Sequence, residues 1–219
     1  RLLTPAHLRD LAGRSVKTLR EQGAEQLWRD VKFRVGLAMH HDDWRHRADI
    51  PLRRELKAQR AAHLQGPKIS IIVPLYNTPA KLFDEMLQSV VRQTYTNWEL
   101  VLVDASDADK RLEHRLPKAV PGTIVYEPIE NGGIALNTTR GFALAHGEYI
   151  TLLDHDDVLY PNALFEVVQT IQNTGADFVY SDEIVLSADL KELGGYHFKP
   201  DFAPDYLRGV NFITHLAVF

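Results

Sequence analysis

The 219-residue sequence contains no cysteine, which excludes disulfide frameworks, thiol catalysis and cysteine-ligated zinc. It also contains no apolar run near the roughly 18 residues that a membrane span requires. Its apolar runs, such as residues 71–73 and 100–103, have the size of strands. The first residues lack the apolar core of a secretory signal. These absences predict a cytoplasmic protein, and a hydrophobic content of 45% is enough for a sizeable core.

Charge is distributed unevenly along the chain. Residues 1–66 hold 14 Lys and Arg against 8 Asp and Glu, whereas residues 67–219 hold 11 against 21. Apolar residues recur every three or four positions over residues 24–38, and a second helical segment over residues 51–64 ends before Gly66-Pro67. We therefore predict a basic helical extension at residues 1–66 and a second domain at residues 67–219.

From Lys68 onward, short apolar strands alternate with segments of helical periodicity. The predicted strands cover residues 68–73, 98–103, 123–126, 148–153 and 176–180. Most of the connections read as helices, including a polar one near residues 107–116. This alternation implies right-handed βαβ crossovers and a mainly parallel sheet with helices on both faces.

Carboxylates follow three of these strands, as Asp104, then Asp154, Asp156 and Asp157, then Asp182 and Glu183. A parallel sheet would gather them at one edge, where their repulsion favours a bound cation. An all-oxygen ligand set favours Mg²⁺ or Mn²⁺, and Mg²⁺ commonly takes further ligands from substrate phosphates. The acids could instead cap the following helices, but only one of the acids at residues 154–157 is placed to do so.

A turn at Asn131, Gly132 and Gly133 precedes a predicted helix at the same edge of the sheet. Glycines there allow a ligand to approach the backbone next to a helix N-terminus, which favours anions. Together with the acids, this turn predicts a phosphate-bearing ligand.

Several blocks of sequence resemble family 2 glycosyltransferases in order and spacing. They are residues 68–78 (KISIIVPLYNT), 89–95 (SVVRQTY), 98–104 (WELVLVD), 131–133 (NGG), 147–150 (GEYI) and 153–157 (LDHDD). Two later blocks, 180–183 (YSDE) and 198–205 (FKPDFAPD), are similar to a bacterial subgroup that builds surface polysaccharides, including rhamnose-containing ones. The resemblance spans about residues 67–219 and implies an α/β fold of the GT-A type.

The resemblance also implies an activity. A sugar would pass, with inversion, from a UDP- or dTDP-linked donor to a glycan or lipid-linked acceptor, with Mg²⁺ or Mn²⁺ bound to the diphosphate. Residues at matching positions would contact the nucleotide: Pro74, Tyr76 and Asn77 around the base, Asp104 near the base or ribose, Asn131, Gly132 and Gly133 beside the donor, and Asp154 on its ribose or phosphate side.

Asp154 and Asp156 match the Asp-x-Asp motif of the family, so both are expected at the metal, with Asp156 as its direct ligand. Asp157 has no assigned contact, and Asp182 and Glu183 are candidates for the acceptor side. Ala105 stands where the family often has a second acid. The catalytic base of the family lies in a later acidic motif, expected beyond Phe219, so we expect residues 1–219 to bind a donor without transferring sugar.

Other interpretations remain open at this point. The run from Asp154 to Val158 also satisfies the Asp-x-Asp-x-Val pattern of aspartate-nucleophile phosphatases, with Asp154 as nucleophile and Asp156 as general acid. A non-catalytic nucleotide-sugar-binding module is a further alternative. The helical extension is expected to pack on the catalytic domain or on a second copy, or else to contact the inner face of a membrane peripherally. The acids around the site disfavour nucleic acid as a partner.

Overall fold

The computed structural model describes residues 53–187 and 193–219. The chain divides into two units, residues 1–52 and Arg53–Phe219, of which the second is described below. The helix predicted over residues 51–64 is present as Arg53–Ala62 and belongs to the second unit. The apolar stripe at residues 24–38 lies outside the described residues. The predicted role of residues 1–66 as a separate extension stays a prediction.

The second unit is built on a six-stranded sheet. Helices α1–α5 comprise Arg53–Ala62, Ala80–Val91, Ile134–Leu144, Ala163–Thr174 and Pro204–Leu207. Strands β1–β8 comprise Ile69–Leu75, Trp98–Asp104, Thr123–Pro128, Tyr149–Leu152, Val179–Tyr180, Glu183–Leu186, Leu193–His197 and Ala217–Val218. The strand order is β3-β2-β1-β4-β8-β5, and β6 pairs with β7 in a separate hairpin.

Strand direction confirms the predicted mainly parallel sheet. Strands β1 and β2 run parallel to each other, β4 runs parallel to β1, and β3 runs parallel to β2. Only β8 runs antiparallel to its neighbours β4 and β5 within the described part of this sheet. The carboxyl ends of β1, β2 and β4 therefore lie at one edge, as the sequence pattern requires.

Burial explains why the central strands are nearly continuous apolar runs. Every residue of β2 is buried, and so is every residue of β1 except Pro74. On one face, α2 and α4 bury their apolar stripes, which are Phe83, Met86, Leu87 and Val90 in α2 and Leu164, Phe165, Val167, Val168 and Ile171 in α4. On the other face, a smaller cluster of Ile72, Val101 and Val103 lies under α3. A strand covered on both faces cannot alternate apolar with polar residues.

The prediction of a polar helix near residues 107–116 is wrong. Two single 3₁₀ turns stand there instead, Ala108–Lys110 and Glu113–Arg115. Arg111 lies between them in extended backbone (φ −64°, ψ 140°), and its guanidinium donates to the carbonyls of Ser106 and Ile129. These side-chain hydrogen bonds stabilise an irregular backbone. The segment has few apolar residues, so a helix there would have no apolar face to bury. Across residues 53–187 and 193–219, no helix combines the length and apolar character needed to cross a membrane.

At the opposite edge of the sheet, buried polar groups fix the connection between α3 and β4. Glu99, 3% exposed, accepts hydrogen bonds from the Ser70 hydroxyl (2.6 Å) and from the His146 backbone N–H. The Ser70 Oγ atom in turn accepts from the Gly147 N–H at 2.7 Å. A Cβ at Gly147 would lie 2.6 Å from the Ser70 nitrogen and 2.8 Å from the Lys68 oxygen.

We expect Gly147→Ala to destabilise the protein, because backbone atoms on both sides leave no room for a methyl group. Overpacking of this kind costs about 2 kcal/mol and should lower the thermal midpoint by about 5 °C. Differential scanning calorimetry measures this change. Gly195→Ala is the control, since a Cβ there would meet no atom within 4 Å. Equal midpoints for the two variants would contradict the packing described at Gly147.

Candidate metal and nucleotide site

Three side chains able to ligate a metal ion meet beyond the carboxyl end of β4: Asp154, Asp157 and His215, called the trio below. The His215 Nε2 atom lies 3.4 Å from Asp154 Oδ2 and 3.7 Å from Asp157 Oδ2. All three potential ligand atoms lie within 4.8 Å of one another. Ligand atoms that share an ion at about 2.1 Å are themselves about 3–4 Å apart, and the two measured distances to His215 lie in that range.

The sheet brings the trio together from distant parts of the chain. Leu153 extends β4 by donating its N–H to the Ile72 carbonyl (3.0 Å), and the Asp157 N–H donates to the Asp154 carbonyl (3.1 Å), which closes a turn. Strand β8 enters between β4 and β5, with Val218 opposite Thr151. The residue three positions before Val218, His215, therefore arrives beside the β4 loop.

The loop after the acids is anchored by polar residues of the SVVRQTY block. Gln93, 3% exposed, donates from Nε2 to the Tyr160 carbonyl (2.7 Å) and accepts from the Leu164 N–H (3.0 Å). The Ser89 hydroxyl oxygen accepts from the Leu159 N–H at 3.1 Å. Sequence reasoning assigned no role to these side chains. Their contacts show that the block holds the segment that directly follows the acidic residues.

Electrostatics at the trio favour a bound cation. Burial raises the pKa of Asp157; His215 opposes this rise, while Asp156, Asp154 and Glu183 add to it. A metal ion stabilises ionised carboxylates and so reverses this balance. The cluster of acids, costly by itself, is thereby matched to a divalent ion.

Asp156, the predicted direct ligand, is exposed and lies outside the trio. Its assignment stays a prediction, and Asp154 is the residue common to the predicted pair and the trio. Sequence reasoning gave Asp157 no contact and missed His215. The available signal for His215 was weak: it precedes the apolar residues 216–219, but nothing in the pattern reveals which strands those residues join.

Asp104 ends β2 in a buried position. It is 1% exposed, and its two oxygens accept hydrogen bonds from the Ser106 N–H (2.9 Å) and the Tyr126 hydroxyl (2.5 Å). Burial and the hydrogen bond to Asp104 both raise the pKa of Tyr126. Both Asp104 oxygens are thus already bonded within the protein, to the loop after β2 and to β3. The predicted contact of Asp104 with a base or ribose stays a prediction.

The end of β1 meets the loop after β2. The Asn77 N–H donates to the Ser106 hydroxyl (2.7 Å), and the Asn77 side chain exchanges hydrogen bonds with the Asp107 carboxylate (3.2 Å) and N–H (3.1 Å). Asn77 adopts a positive φ of 49°, which asparagine tolerates better than most residues. Tyr76 is 51% exposed, and Pro74 is half-buried within β1. Tyr76 thus remains available to a ligand at this edge.

The predicted glycine turn stands at the start of α3. The Asn131 side-chain oxygen accepts from the Gly133 N–H (2.9 Å) and from the Asn137 amide (3.2 Å), and the Gly132 N–H donates to the Asn137 oxygen (3.1 Å). Gly133 has a φ of 86°. Only glycine adopts such a conformation readily, so this residue is required by the turn itself.

Asp182 and Glu183 lie at the start of the β6–β7 hairpin, and Glu183 connects it to the segment that carries His215. Asp182 Oδ1 accepts from the Lys199 N–H at 2.7 Å. Glu183 lies 2.7 Å from the His197 ring nitrogen and accepts from the Thr214 hydroxyl at 3.0 Å. Their predicted place on the acceptor side stays a prediction.

Comparison with known proteins agrees with this architecture. The model of the family described as "Glycosyl transferase family 2" matches residues 70–194. An uncharacterised protein, y4gI, of Sinorhizobium fredii is 41% identical over 162 residues, which is 70% of this chain and 17% of that protein. The O-antigen biosynthesis protein RfbC of Myxococcus xanthus is 32% identical over 156 residues, 69% of this chain and 12% of that protein.

Shorter and more distant likenesses were also found. Glycosyltransferase GlyG of Streptococcus pneumoniae is 34% identical over 113 residues, 51% of this chain and 37% of that protein. The structure of S. aureus TarS 1–349 in complex with UDP is 26% identical, with a TM-score of 0.48 and coverage of 52% of this chain and 34% of that one. The structure of mannosyltransferase PcManGT from Pyrobaculum calidifontis, in complex with GDP-Man and Mn²⁺, is 26% identical, with a TM-score of 0.44. The match covers 53% of this chain and 35% of that one.

The chain thus spans from about an eighth to somewhat over a third of the length of these curated relatives. The family model covers more than half of the chain and includes β1 to β4 with the acids that follow them. Together with the mainly parallel sheet, it confirms both the resemblance and the GT-A fold inferred from the sequence. The chain belongs to glycosyl transferase family 2.

Proposed function

We propose that residues 53–219 bind the donor of a metal-dependent glycosyltransferase, a nucleoside diphosphate sugar, with the trio as its metal site. The observation that carries the proposal is the meeting of Asp154, Asp157 and His215 at the carboxyl edge of the sheet. Open α/β sheets bind ligands at that edge. Family membership makes a nucleotide sugar the natural ligand.

A divalent cation held there would neutralise the negative charge that develops on the departing diphosphate. The trio contributes two carboxylate oxygens and one imidazole nitrogen, with Asp156 close by in the same loop. Imidazole is a softer ligand than carboxylate and disfavours the hard Mg²⁺ ion. We therefore propose Mn²⁺ in preference to Mg²⁺.

The remaining donor contacts follow from the other strand ends. Tyr76, exposed beyond β1, offers a ring on which a nucleobase can stack, and the Asn77–Ser106–Asp107 hydrogen bonds fix the backbone beside it. The turn at Gly132 and Gly133 leads into α3, whose N-terminus favours phosphate oxygens. UDP and dTDP are the proposed nucleotides, and a glycan or lipid-linked hydroxyl is the proposed acceptor, reached with inversion at the sugar carbon.

The phosphatase interpretation loses its support. Its acidic motif normally follows the first strand of the domain, whereas Asp154 follows the fourth, and the family model covers this loop as part of a glycosyltransferase. A non-catalytic role in nucleotide-sugar binding predicts the same donor site. No feature of the described residues favours it over the enzyme.

We expect UDP to bind the 219-residue chain in the presence of Mn²⁺ and to bind at least about tenfold more weakly after metal removal with EDTA, because the acids then face the diphosphate without a counter-ion. Isothermal titration calorimetry with UDP, dTDP and uridine measures this. Uridine lacks the diphosphate, so its affinity should not depend on metal. Equal UDP affinities with and without Mn²⁺ would contradict the proposed metal site.

A further inference from the structure

A positively charged lysine side chain is buried next to the segment that carries His215. The Lys199 side chain, on the segment that follows β7, is only 3% exposed. Burying a charged ammonium group is costly unless hydrogen-bond acceptors or an opposite charge surround it. The groups around Lys199 therefore indicate what the charge is used for.

Those groups belong to the segment that carries His215. The Lys199 Nζ atom donates hydrogen bonds to the backbone carbonyls of Ile213 and His215. Its counter-charge is Glu183, whose Oε2 atom lies 3.6 Å away. The same Oε2 atom accepts a hydrogen bond from the Thr214 hydroxyl at 3.0 Å. Lys199 and Glu183 thus hold three consecutive residues, 213 to 215, through both backbone and side chain.

The backbone they hold is not one that the segment would adopt unaided. Thr214 has a φ of 37°, in the left-handed region that β-branched residues avoid. Such a conformation persists only where surrounding contacts impose it, and it occurs often at functional sites. Here the two carbonyls bound by Lys199 flank Thr214 on either side. Loss of these two hydrogen bonds would allow the segment to relax and the His215 ring to move away from Asp154 and Asp157.

We propose that Lys199 is a positioning residue of the metal site: by holding the Ile213 and His215 carbonyls it sets the His215 imidazole against Asp154 and Asp157. The proposal rests on the proposed function, because it assumes that the trio binds a divalent ion. Lys199 is not one of the proposed ligands. Its charge also offsets Glu183, which would otherwise add a further negative group behind the site.

A double-mutant cycle on the full 219-residue chain tests this inference. The probe is Mn²⁺ titrated in the presence of UDP, with free Mn²⁺ measured by electron paramagnetic resonance. We expect Lys199→Met to weaken Mn²⁺ binding about tenfold in the otherwise unchanged protein, and less than about twofold when His215→Ala is already present. A residue that acts through His215 loses its effect once His215 is gone.

Additive losses in the two backgrounds would overturn the proposal, because they would mean that Lys199 stabilises the hairpin without acting through the imidazole. Gly147→Ala controls for stability, since it strains the opposite edge of the sheet and should leave Mn²⁺ affinity unchanged. Failure of the proposed function is distinguishable: the unmodified protein would then bind no Mn²⁺. If Mn²⁺ binds and His215→Ala weakens it while Lys199→Met does not, only the role of Lys199 is refuted.

Thr214→Val provides the second arm if Lys199→Met does not fold. Valine keeps the β-branched shape of Thr214 and removes the hydroxyl that donates to Glu183. We expect a smaller loss of Mn²⁺ affinity, about threefold, that again disappears in the His215→Ala background. An unchanged affinity, or a loss that persists without His215, would refute positioning by this network.

Discussion

Asp154→Asn and His215→Ala should each weaken Mn²⁺-dependent UDP binding by at least about tenfold, because each removes one of the three proposed ligands of a single ion. The His215 Nε2 and Asp154 Oδ2 atoms lie 3.4 Å apart and belong to different segments of the chain. Calorimetry with UDP at fixed Mn²⁺ measures the loss. His215→Ala should also reduce the preference for Mn²⁺ over Mg²⁺, since only oxygen ligands remain.

The acidic loop contains a sharper test, between Asp156 and Asp157. The geometry of the trio favours Asp157, 3.7 Å from the His215 nitrogen, whereas the family motif favours Asp156. We expect Asp157→Asn to cost about as much UDP affinity as Asp154→Asn, and Asp156→Asn to cost less than about threefold through long-range charge alone. The reverse order would assign the ligand to Asp156, as the motif does.

Asp177→Asn is the matched control for these charge changes. Asp177 is exposed and precedes β5, at the opposite edge of the sheet from the trio. The Asp177→Asn substitution removes the same unit of negative charge but changes no residue of the trio. A loss for Asp177→Asn equal to that for Asp154→Asn would show that net charge, and not ligation, governs the affinity.

The part of this site that the sequence predicts is the part that lies on regular, buried strands. The apolar runs of β1 and β2 are strong signals because both faces of those strands are covered. Since β4 runs parallel to β1, the acids that follow β2 and β4 must share an edge. Asp104 and the acids at residues 154–157 were located in this way. Their individual contacts were not, because hydrogen-bond partners depend on loop conformations that periodicity does not encode.

His215 lies beyond the reach of such reasoning for a topological reason. Strand β8 has only two residues, Ala217 and Val218, and it enters antiparallel between β4 and β5. Two residues give no usable period, and an insertion between consecutive strands of a parallel sheet follows no connection rule. The same holds for Lys199, whose burial depends on a hairpin that was not predicted.

Asp104→Ala should lower the free energy of unfolding by about 3 kcal/mol, because it leaves one buried and one partly buried donor without an acceptor. These donors are the Ser106 N–H and the Tyr126 hydroxyl, which join the end of β2 to its own loop and to β3. For a domain of this size, the thermal midpoint should fall by about 6–12 °C. Tyr126→Phe removes only one of the two hydrogen bonds and should cost about 1 kcal/mol.

Asp104→Asn distinguishes a structural role of Asp104 from a contact with the ligand. Asparagine can still accept a hydrogen bond from the Ser106 N–H and donate one to the Tyr126 oxygen, so the structural role is retained. Asp104 is 1% exposed, so we expect this variant to keep its UDP affinity within about threefold and most of its stability. A tenfold loss of UDP affinity with the midpoint unchanged would instead show that the Asp104 carboxylate accepts a hydrogen bond from the base or ribose. A large fall in midpoint for Asp104→Asn, with affinity retained, would show that the ionised carboxylate itself is required to hold β2, β3 and the Asn77 loop in place.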